Sequence, residues 1–385
     1  MQSSGTAFRY QKPGSRDPMP HETVSDTDLQ NKFRKIINKK LYWKEHILQL
    51  IEKITDRVVH GSDKEWAMNI HSFDWVPGVG LYGIWKAWEV TGKDEYLDFL
   101  TDWAGKHLED AYRQKTVNST APMIAILELY KKSGKEAYRK VCQDMAEYVL
   151  KEAPLTIDGG LEHTVTENAS FDNQMWADTL FMVCIFMARF GNLTGNRSYT
   201  EFASDQLVLH YRYLWDEETG LFYHGWDGTS RTHLSSIHWG RANAWIIYST
   251  VEILNEVGEF EERDDVICKL QRHASSLTSL QRANGLFGSI LDDPTSYDEL
   301  SASAGIACGI KRGIRFGYVD GSLENAARRV YKVLPQYVDE TGTVQGVSGG
   351  TPIMETAREY RDIPVMPTLY GQALTCLALA EFEQE

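Results

Sequence analysis

The sequence has few cysteines and no long run of apolar residues. Its five cysteines are scattered singly among 385 residues with no CxxC pair, and three lie inside apolar runs typical of buried helices (Cys184, Cys308 and Cys376). This pattern favours reduced core thiols and predicts a cytoplasmic protein. No apolar run is long enough to cross a membrane, and the N-terminus lacks the apolar core of a signal peptide, so we expect no membrane partner.

Positive charge and the common cofactor motifs are also scarce. The net charge is -14, which excludes nucleic acid as an expected partner and means that an anionic substrate needs a local cationic clamp. The chain contains no HExxH, GxGxxG, GxxxxGK[ST] or GxSxG motif, and its eleven histidines show no metal-ligand spacing. We therefore expect neither a metal nor another cofactor.

A helical pair recurs along the chain. Apolar helices are predicted to begin near residues 79, 119, 174, 238, 299 and 366, and all but the last are followed by an amphipathic helix. A further helix over 31–59 can supply the sixth outer partner, so the pattern predicts an all-α (α/α)6 barrel of six inner and six outer helices. An open solenoid is the alternative, although its last helix should then be more polar. We expect residues 1–28 to form an extended arm and residues 29–385 a single catalytic domain.

The loops before the inner helices are rich in Gly, Trp, Asp and His, and they should gather at one end of the ring. Some of these loops can form short hairpins, such as 221–226 against residues near Ile237. A rigid scaffold that carries such loops usually places its site there. The chain has eleven tryptophans and nineteen tyrosines. Such aromatic side chains can line a cleft for sugars or fill an ordinary core, and composition alone favours neither interpretation.

Asp178 is the main candidate for chemistry. It stands beside Trp176 at the start of a strongly apolar inner helix, where burying a carboxylate is costly. Desolvation raises a carboxyl pKa, and a raised pKa suits a general acid. The alternative is a carboxylate that only stabilises the helix dipole.

Several other side chains are predicted to lie at the same end and to bind a substrate. Arg241 can grip a carboxylate through two parallel hydrogen bonds, and Trp239 can stack on a sugar ring. His224 and Asn118 can contact a sugar, although backbone bonding and helix N-capping are the respective alternatives.

Five segments carry a family resemblance when they are taken together and in this order. They are TVNSTAPMIAILELY, MWADTLFMVCIFMARFG, GLFYHGWD, HWGRANAWIIYSTVEIL and GTPIMETAREYRDIPVMPTLYGQALTCLALAE. From about residue 35 to residue 385, the chain resembles the unsaturated glucuronyl and rhamnogalacturonyl hydrolases of glycoside hydrolase family 105, with family 88 more distant. The resemblance implies an (α/α)6 barrel without a cofactor that removes a terminal unsaturated uronic acid from a small oligosaccharide by hydrating its C4=C5 double bond.

The resemblance also implies roles for individual residues. Asp178 matches the general acid, and His224 matches the active-site histidine. Trp239, Arg241 and Trp245 fall on the family's WGRxNxW motif, which holds the uronate. His163 and Trp176 complete the predicted set of binding residues.

Asn118 departs from the related pattern, because family 88 carries a second Asp at this position. Either Asp178 does both the acid and the base work, or the alignment at Asn118 is shifted. Vinyl-ether hydration can proceed with Asp178 alone, since the same carboxylate can donate a proton and then accept one from water. A conventional inverting glycosidase would need two carboxylates. A sugar epimerase would use paired histidines, for which His163 and His224 are candidates. The remaining alternative is a non-catalytic carbohydrate-binding protein, and a monomer or a homodimer is expected in each case.

Overall fold

The computed structural model describes the backbone of residues 26–61 and 66–384 and the side chains from residue 41 onward within these ranges. The chain divides after Glu45 into two compact units, and the second unit, His46–Glu385, carries the features that follow. The arm expected over residues 1–28 lies outside the described residues as far as residue 25, and a helix begins at Asp26.

Helices dominate the structure. The α-helices are α1 (Asp26–Val59), α2 (Trp75–Thr91), α3 (Asp94–Arg113), α4 (Val117–Thr120), α5 (Met123–Ser133), α6 (Glu136–Lys151), α7 (Ile185–Thr194), α8 (Arg197–Tyr213), α9 (Gly240–Glu256), α10 (Arg263–Ser279), α11 (Leu300–Arg315), α12 (Glu324–Val333), α13 (Ala357–Arg361) and α14 (Leu369–Glu383). A π-helical turn, Leu180–Cys184, precedes α7, and 3-10 turns occupy Trp66–Met68, Gly321–Leu323 and Leu334–Tyr337. The two strands are β1 (Gln174–Trp176) and β2 (Gly225–Asp227).

Six inner helices form a closed ring. They are α2, α5, α7, α9, α11 and α14; each contacts the next, and α14 contacts α2. The helices α3, α6, α8, α10 and α12 each pack on the inner helix that precedes them. The end of α1 takes the sixth outer position beside α14, where Gln372 Nε2 donates to Ile54 O at 3.2 Å. The predicted (α/α)6 barrel is confirmed, and the open solenoid is not.

The inner helices are apolar because they are enclosed on all sides, and some approach each other very closely. A Cβ added to Gly83 of α2 would lie 2.6 Å from Cα of Ala373 in α14. A Cβ added to Gly309 of α11 would lie 2.8 Å from Cγ2 of Ile247 in α9. Only glycine permits these two crossings without a shift of the neighbouring helix.

Five inner helices each contribute a buried charge, at or beyond the middle of the helix, to one series of ion pairs, and the sign alternates from α5 to α14. This charge ring consists of Glu128 (α5), Arg189 (α7), Glu252 (α9), Arg312 (α11) and Glu381 (α14). Arg189 donates to Glu128 Oε1 at 3.1 Å and also to Glu252. Arg312 donates to Glu252 and, at 3.0 Å, to Glu381 Oε2. Arg189, Glu252 and Arg312 are each paired with both neighbours, and Glu128 and Glu381 with one neighbour each, so the charge ring favours one order of helices.

A short sheet joins two loops at the opposite end of the barrel. Strand β1 pairs antiparallel with β2, and Met175 lies opposite Trp226. The hairpin expected between 221–226 and residues near Ile237 is therefore wrong, because Gly225–Asp227 pairs with the loop before α7. Next to the sheet, the Ala177 amide donates to the carbonyl of His224 at 2.9 Å, so the pairing brings the loops before α7 and α9 together.

The cysteines agree with the sequence-based interpretation. Cys142, Cys184, Cys308 and Cys376 are buried free thiols, and Cys268 is an exposed free thiol. In the part of the chain that the structure describes, every helix is too short or too polar to traverse a bilayer.

The charge ring yields a stability prediction. Replacing Arg189 by Met leaves Glu128 and Glu252 without their shared buried partner, so we expect the free energy of unfolding to fall by about 3–5 kcal/mol in urea denaturation. The matched control is Arg197→Met, because Arg197 forms a largely exposed ion pair with Glu201 and its loss should leave stability unchanged. An R189M variant as stable as the wild type would show that the ring does not hold the barrel together.

Candidate active site

A cavity of about 270 Å³ opens among the loops that precede the inner helices. We call this cavity the cleft. Its aromatic lining consists of Trp66, Trp75, Phe171 and Trp176, and its polar lining includes Asn118, His163, Glu167 and Asp178. Aromatic faces next to a few convergent polar groups are typical of a small-ligand site.

Asp178 lies at the cleft, and its side chain is 15% exposed. Its Oδ2 is 3.1 Å from Nε2 of His224, which is fully buried. Burial acts to raise the pKa of the Asp178 carboxyl, but the hydrogen bond to His224 and the electrostatic interactions with His224, His163 and Arg241 bring the pKa below its usual value. The sequence predicted a raised pKa, and that expectation is wrong because it took account of burial without these partners.

His163 and Trp176 form one wall of the cleft. Their rings are stacked with centroids 4.2 Å apart and planes at 5°. Nδ1 of His163 lies 3.1 Å from Oγ1 of Thr179, and burial lowers the pKa of His163 to about 4. The imidazole is therefore neutral near pH 7, and the stacked pair presents an uncharged aromatic surface.

Asn118 reaches the cleft from the short helix α4. The N-cap of α4 is Thr116, whose side chain accepts from the Ser119 amide in a capping box. The alternative of Asn118 as an N-cap is therefore wrong. Asn118 is buried and lines the cleft, which places its carboxamide where the sequence analysis expected a polar group.

Arg241 lies behind the lining of the cleft. Its guanidinium is 4.3 Å from the ring centroid of Trp239 and 4.7 Å from that of Tyr370. It donates to the carbonyl of Ser348 at 2.9 Å and to that of Gly349 at 2.8 Å. The side chain is buried, and its donors fix the loop that continues into the cleft wall at 350–352. The direct clamp on a carboxylate expected from the sequence stays a prediction.

A buried glutamate beside Arg241 and the last tryptophan of the WGRxNxW motif are also enclosed. Glu299 lies 3.8 Å from Arg241, and its Oε1 accepts from the Ser348 amide at 2.8 Å. Trp245 is fully buried with its ring 4.6 Å from that of Phe181. Trp245 thus makes a core contact in the structure, and the substrate contact expected from the sequence stays a prediction.

Sequence reasoning missed several groups at the site. Trp66, Trp75, Glu167 and Phe171 line the cleft but were not singled out. The signal for the two tryptophans was present, since both lie in an aromatic-rich loop before an inner helix. Tyr360 of α13 was also missed; its hydroxyl lies 2.8 Å from Nδ1 of His224. No local pattern marks Tyr360, because its partner is 136 residues away.

Within the described residues, one group of acidic and histidine side chains is close enough to share a cation. It consists of Asp56, His60 and Glu95 on the outer helices α1 and α3. Lys93 Nζ already lies 3.0 Å from Asp56, and His60 Nε2 lies 3.2 Å from Glu95. These ion pairs account for the cluster, which is not part of the cleft lining.

Comparison with known proteins agrees with this arrangement. The family model described as Glycosyl Hydrolase Family 88 matches residues 50–385. The unsaturated rhamnogalacturonyl hydrolase YesR of Bacillus subtilis (strain 168) is 35% identical over 348 residues, which cover 89% of this chain and 96% of that protein.

Solved structures are similar over nearly the same length. A possible member of glycoside hydrolase family 105 from Salmonella enterica serovar Paratyphi A aligns with a TM-score of 0.84 at 29% identity, covering 89% of this chain and 94% of that one. The unsaturated glucuronyl hydrolase of Bacillus sp. GL1 has a TM-score of 0.72 at 18% identity, covering 89% and 97%, and this likeness concerns the fold alone. The resemblance inferred from the sequence is thus confirmed, and the chain belongs to Glycosyl Hydrolase Family 88.

Proposed function

We propose that the protein removes a terminal unsaturated uronic acid from oligosaccharides that polysaccharide lyases release, by hydrating the C4=C5 double bond. The observation that carries the proposal is the Asp178 carboxylate, which lies at an aromatic cleft and is held by His224. The relative YesR, whose name describes an unsaturated rhamnogalacturonyl hydrolase, supports the same substrate class.

The reaction needs only one carboxyl group at the reacting carbons. Protonated Asp178 gives its proton to C4, and the positive charge that develops at C5 is shared with the ring oxygen. The Asp178 carboxylate then takes a proton from a water molecule as that water adds to C5. The resulting hemiketal opens, the glycosidic bond breaks, and one water is consumed overall.

Substrate binding itself can supply the acid form of Asp178. A uronate brings a second negative charge into a cleft where Asp178 is 15% exposed. Two carboxylates in a confined site raise each other's pKa. The bound uronate therefore raises the pKa of Asp178, which opposes the lowering of that pKa by His224 and favours protonation of Asp178. Asp178 is therefore ionised before binding and becomes an acid in the complex.

The walls of the cleft suit a sugar ring. Trp75 and Trp176 offer flat apolar faces, and Asn118 offers a carboxamide that can bond to hydroxyl groups. Arg241 contributes positive charge from behind the lining and keeps the 348–349 loop in place. In a chain with a net charge of -14, a positive charge near the cleft favours an anionic substrate, and Glu299, 3.8 Å from Arg241, offsets part of that charge.

The first prediction for the site concerns the two carboxylates that line the cleft. Asp178→Asn removes the proton donor, so we expect turnover to fall below a few per cent, roughly 100-fold or more, with the fold intact. Glu167→Gln is the matched control, because Glu167 lines the same cleft but hydration requires no second carboxylate. The measurement is the loss of ultraviolet absorbance of an unsaturated disaccharide, with circular dichroism to check folding.

The outcomes separate the alternative enzymes. Loss of turnover in both variants would favour a conventional glycosidase with two carboxylates. Full activity in Asp178→Asn would reject Asp178 as the acid. A wild-type protein that binds the disaccharide without consuming it would favour a carbohydrate-binding protein.

A second prediction separates the charge of Arg241 from its hydrogen bonds. Arg241→Ala should raise KM about tenfold or more, because both the cation and its hold on the 348–349 loop are lost. Arg241→Lys keeps the charge but cannot span both carbonyls with a planar fork, so we expect nearly the same rise in KM. A lysine variant with wild-type KM would show that charge alone matters; steady-state kinetics of both variants decide the point.

A further inference from the structure

The active-site histidine has a second partner on the side away from the cleft. Tyr360 is fully buried in α13, and its hydroxyl oxygen lies 2.8 Å from Nδ1 of His224. Nε2 of the same imidazole lies 3.1 Å from Oδ2 of Asp178. Tyr360, His224 and Asp178 thus form a linear chain that ends at the cleft.

The chemistry of the two ends sets the direction of these hydrogen bonds. Asp178 is ionised and can only accept, so Nε2 of His224 must carry a hydrogen and donate it. Burial raises the pKa of Tyr360, so the phenol keeps its proton. The phenolic oxygen also interacts with the backbone of Met354 and the side chain of Ser235. The Met354 amide can only donate, and the Ser235 hydroxyl can donate as well, so the phenol's own hydrogen is available to Nδ1 when both of them donate.

We propose that Tyr360 is a positioning residue that fixes His224 as the tautomer protonated on Nε2. This role rests on the proposed function. When Nδ1 accepts from the Tyr360 hydroxyl, the imidazole carries its hydrogen on Nε2 and donates it toward Asp178. His224 then engages Oδ2 of Asp178 and leaves Oδ1 as the oxygen that carries the reactive proton to C4.

The tautomer matters because the opposite form would reverse the contact. An imidazole with its hydrogen on Nδ1 presents a lone pair to the Asp178 carboxylate, and the two acceptors repel each other. Asp178 would then rotate or take up a proton on the oxygen that faces His224 instead of the substrate. A wrong histidine tautomer is known to reduce turnover strongly in other enzymes while the fold stays intact.

The test is Tyr360→Phe, which removes the hydroxyl and keeps the buried ring. We expect kcat to fall roughly 10- to 100-fold while KM changes by less than about threefold, since Tyr360 does not line the cleft. The matched control is Tyr211→Phe, another buried tyrosine, whose hydroxyl donates to Thr250 at 3.1 Å and has no part in the chain to Asp178. This control should keep wild-type kcat.

A spectroscopic measurement identifies the cause of any loss. Histidine-selective ¹⁵N NMR distinguishes the protonated from the unprotonated ring nitrogen, and a His224→Gln variant assigns the signals. We expect His224 of the wild type to be protonated on Nε2 and the Y360F variant to lose this preference. An Nδ1-protonated wild type overturns the proposal even if the variant fails to fold. An unchanged kcat, or an unchanged tautomer in Y360F, also overturns it.

The same experiments distinguish this proposal from the proposed function. If the wild type does not consume unsaturated disaccharides, the assignment of the reaction fails. The NMR spectrum of the wild type still reports which nitrogen of His224 is protonated in that case. If the wild type is active but Y360F is equally active, only the role of Tyr360 fails.

Discussion

The closed ring of inner helices is the constraint on which the rest of the structure depends. Each inner helix buries all its faces against its neighbours and an outer helix, so the N-terminal ends and their preceding loops must gather at one end. The other end carries the alternating charges from Glu128 to Glu381. One end of the barrel is thus closed by ion pairs between helices, and the other is left to loops that can be shaped for a ligand.

The site follows from how these loops are tied together. The pairing of β1 with β2 joins the loop before α7 to the loop before α9, which places Asp178 beside His224. The Arg241 guanidinium donates to the carbonyls of Ser348 and Gly349 and so fixes that loop. The hydroxyl of Tyr360, on α13, contacts Nδ1 of His224. The candidate acid therefore lies where three separate parts of the chain meet, each of which is anchored on the rigid ring.

Much of this arrangement could be predicted from the sequence, because an apolar helix and its loop are local signals. Such signals predicted the inner helices, the end of the barrel where the candidate site lies, and Asp178 as the candidate acid there. The pKa of Asp178 did not, since His224 is 46 residues away in the chain. The partners of Arg241 also escaped prediction, because Ser348 and Gly349 follow it by more than one hundred residues. Side chains that act through distant partners leave no pattern in a single sequence.

The most direct test of the account compares an unsaturated disaccharide with its saturated counterpart of the same linkage and the same second sugar. Hydration requires the C4=C5 double bond, so the account predicts that the wild-type protein releases the second sugar from the unsaturated compound alone. Ultraviolet absorbance and chromatography of the released sugar follow the two reactions. Cleavage of the saturated compound at a comparable rate would contradict the account and point to conventional glycoside hydrolysis.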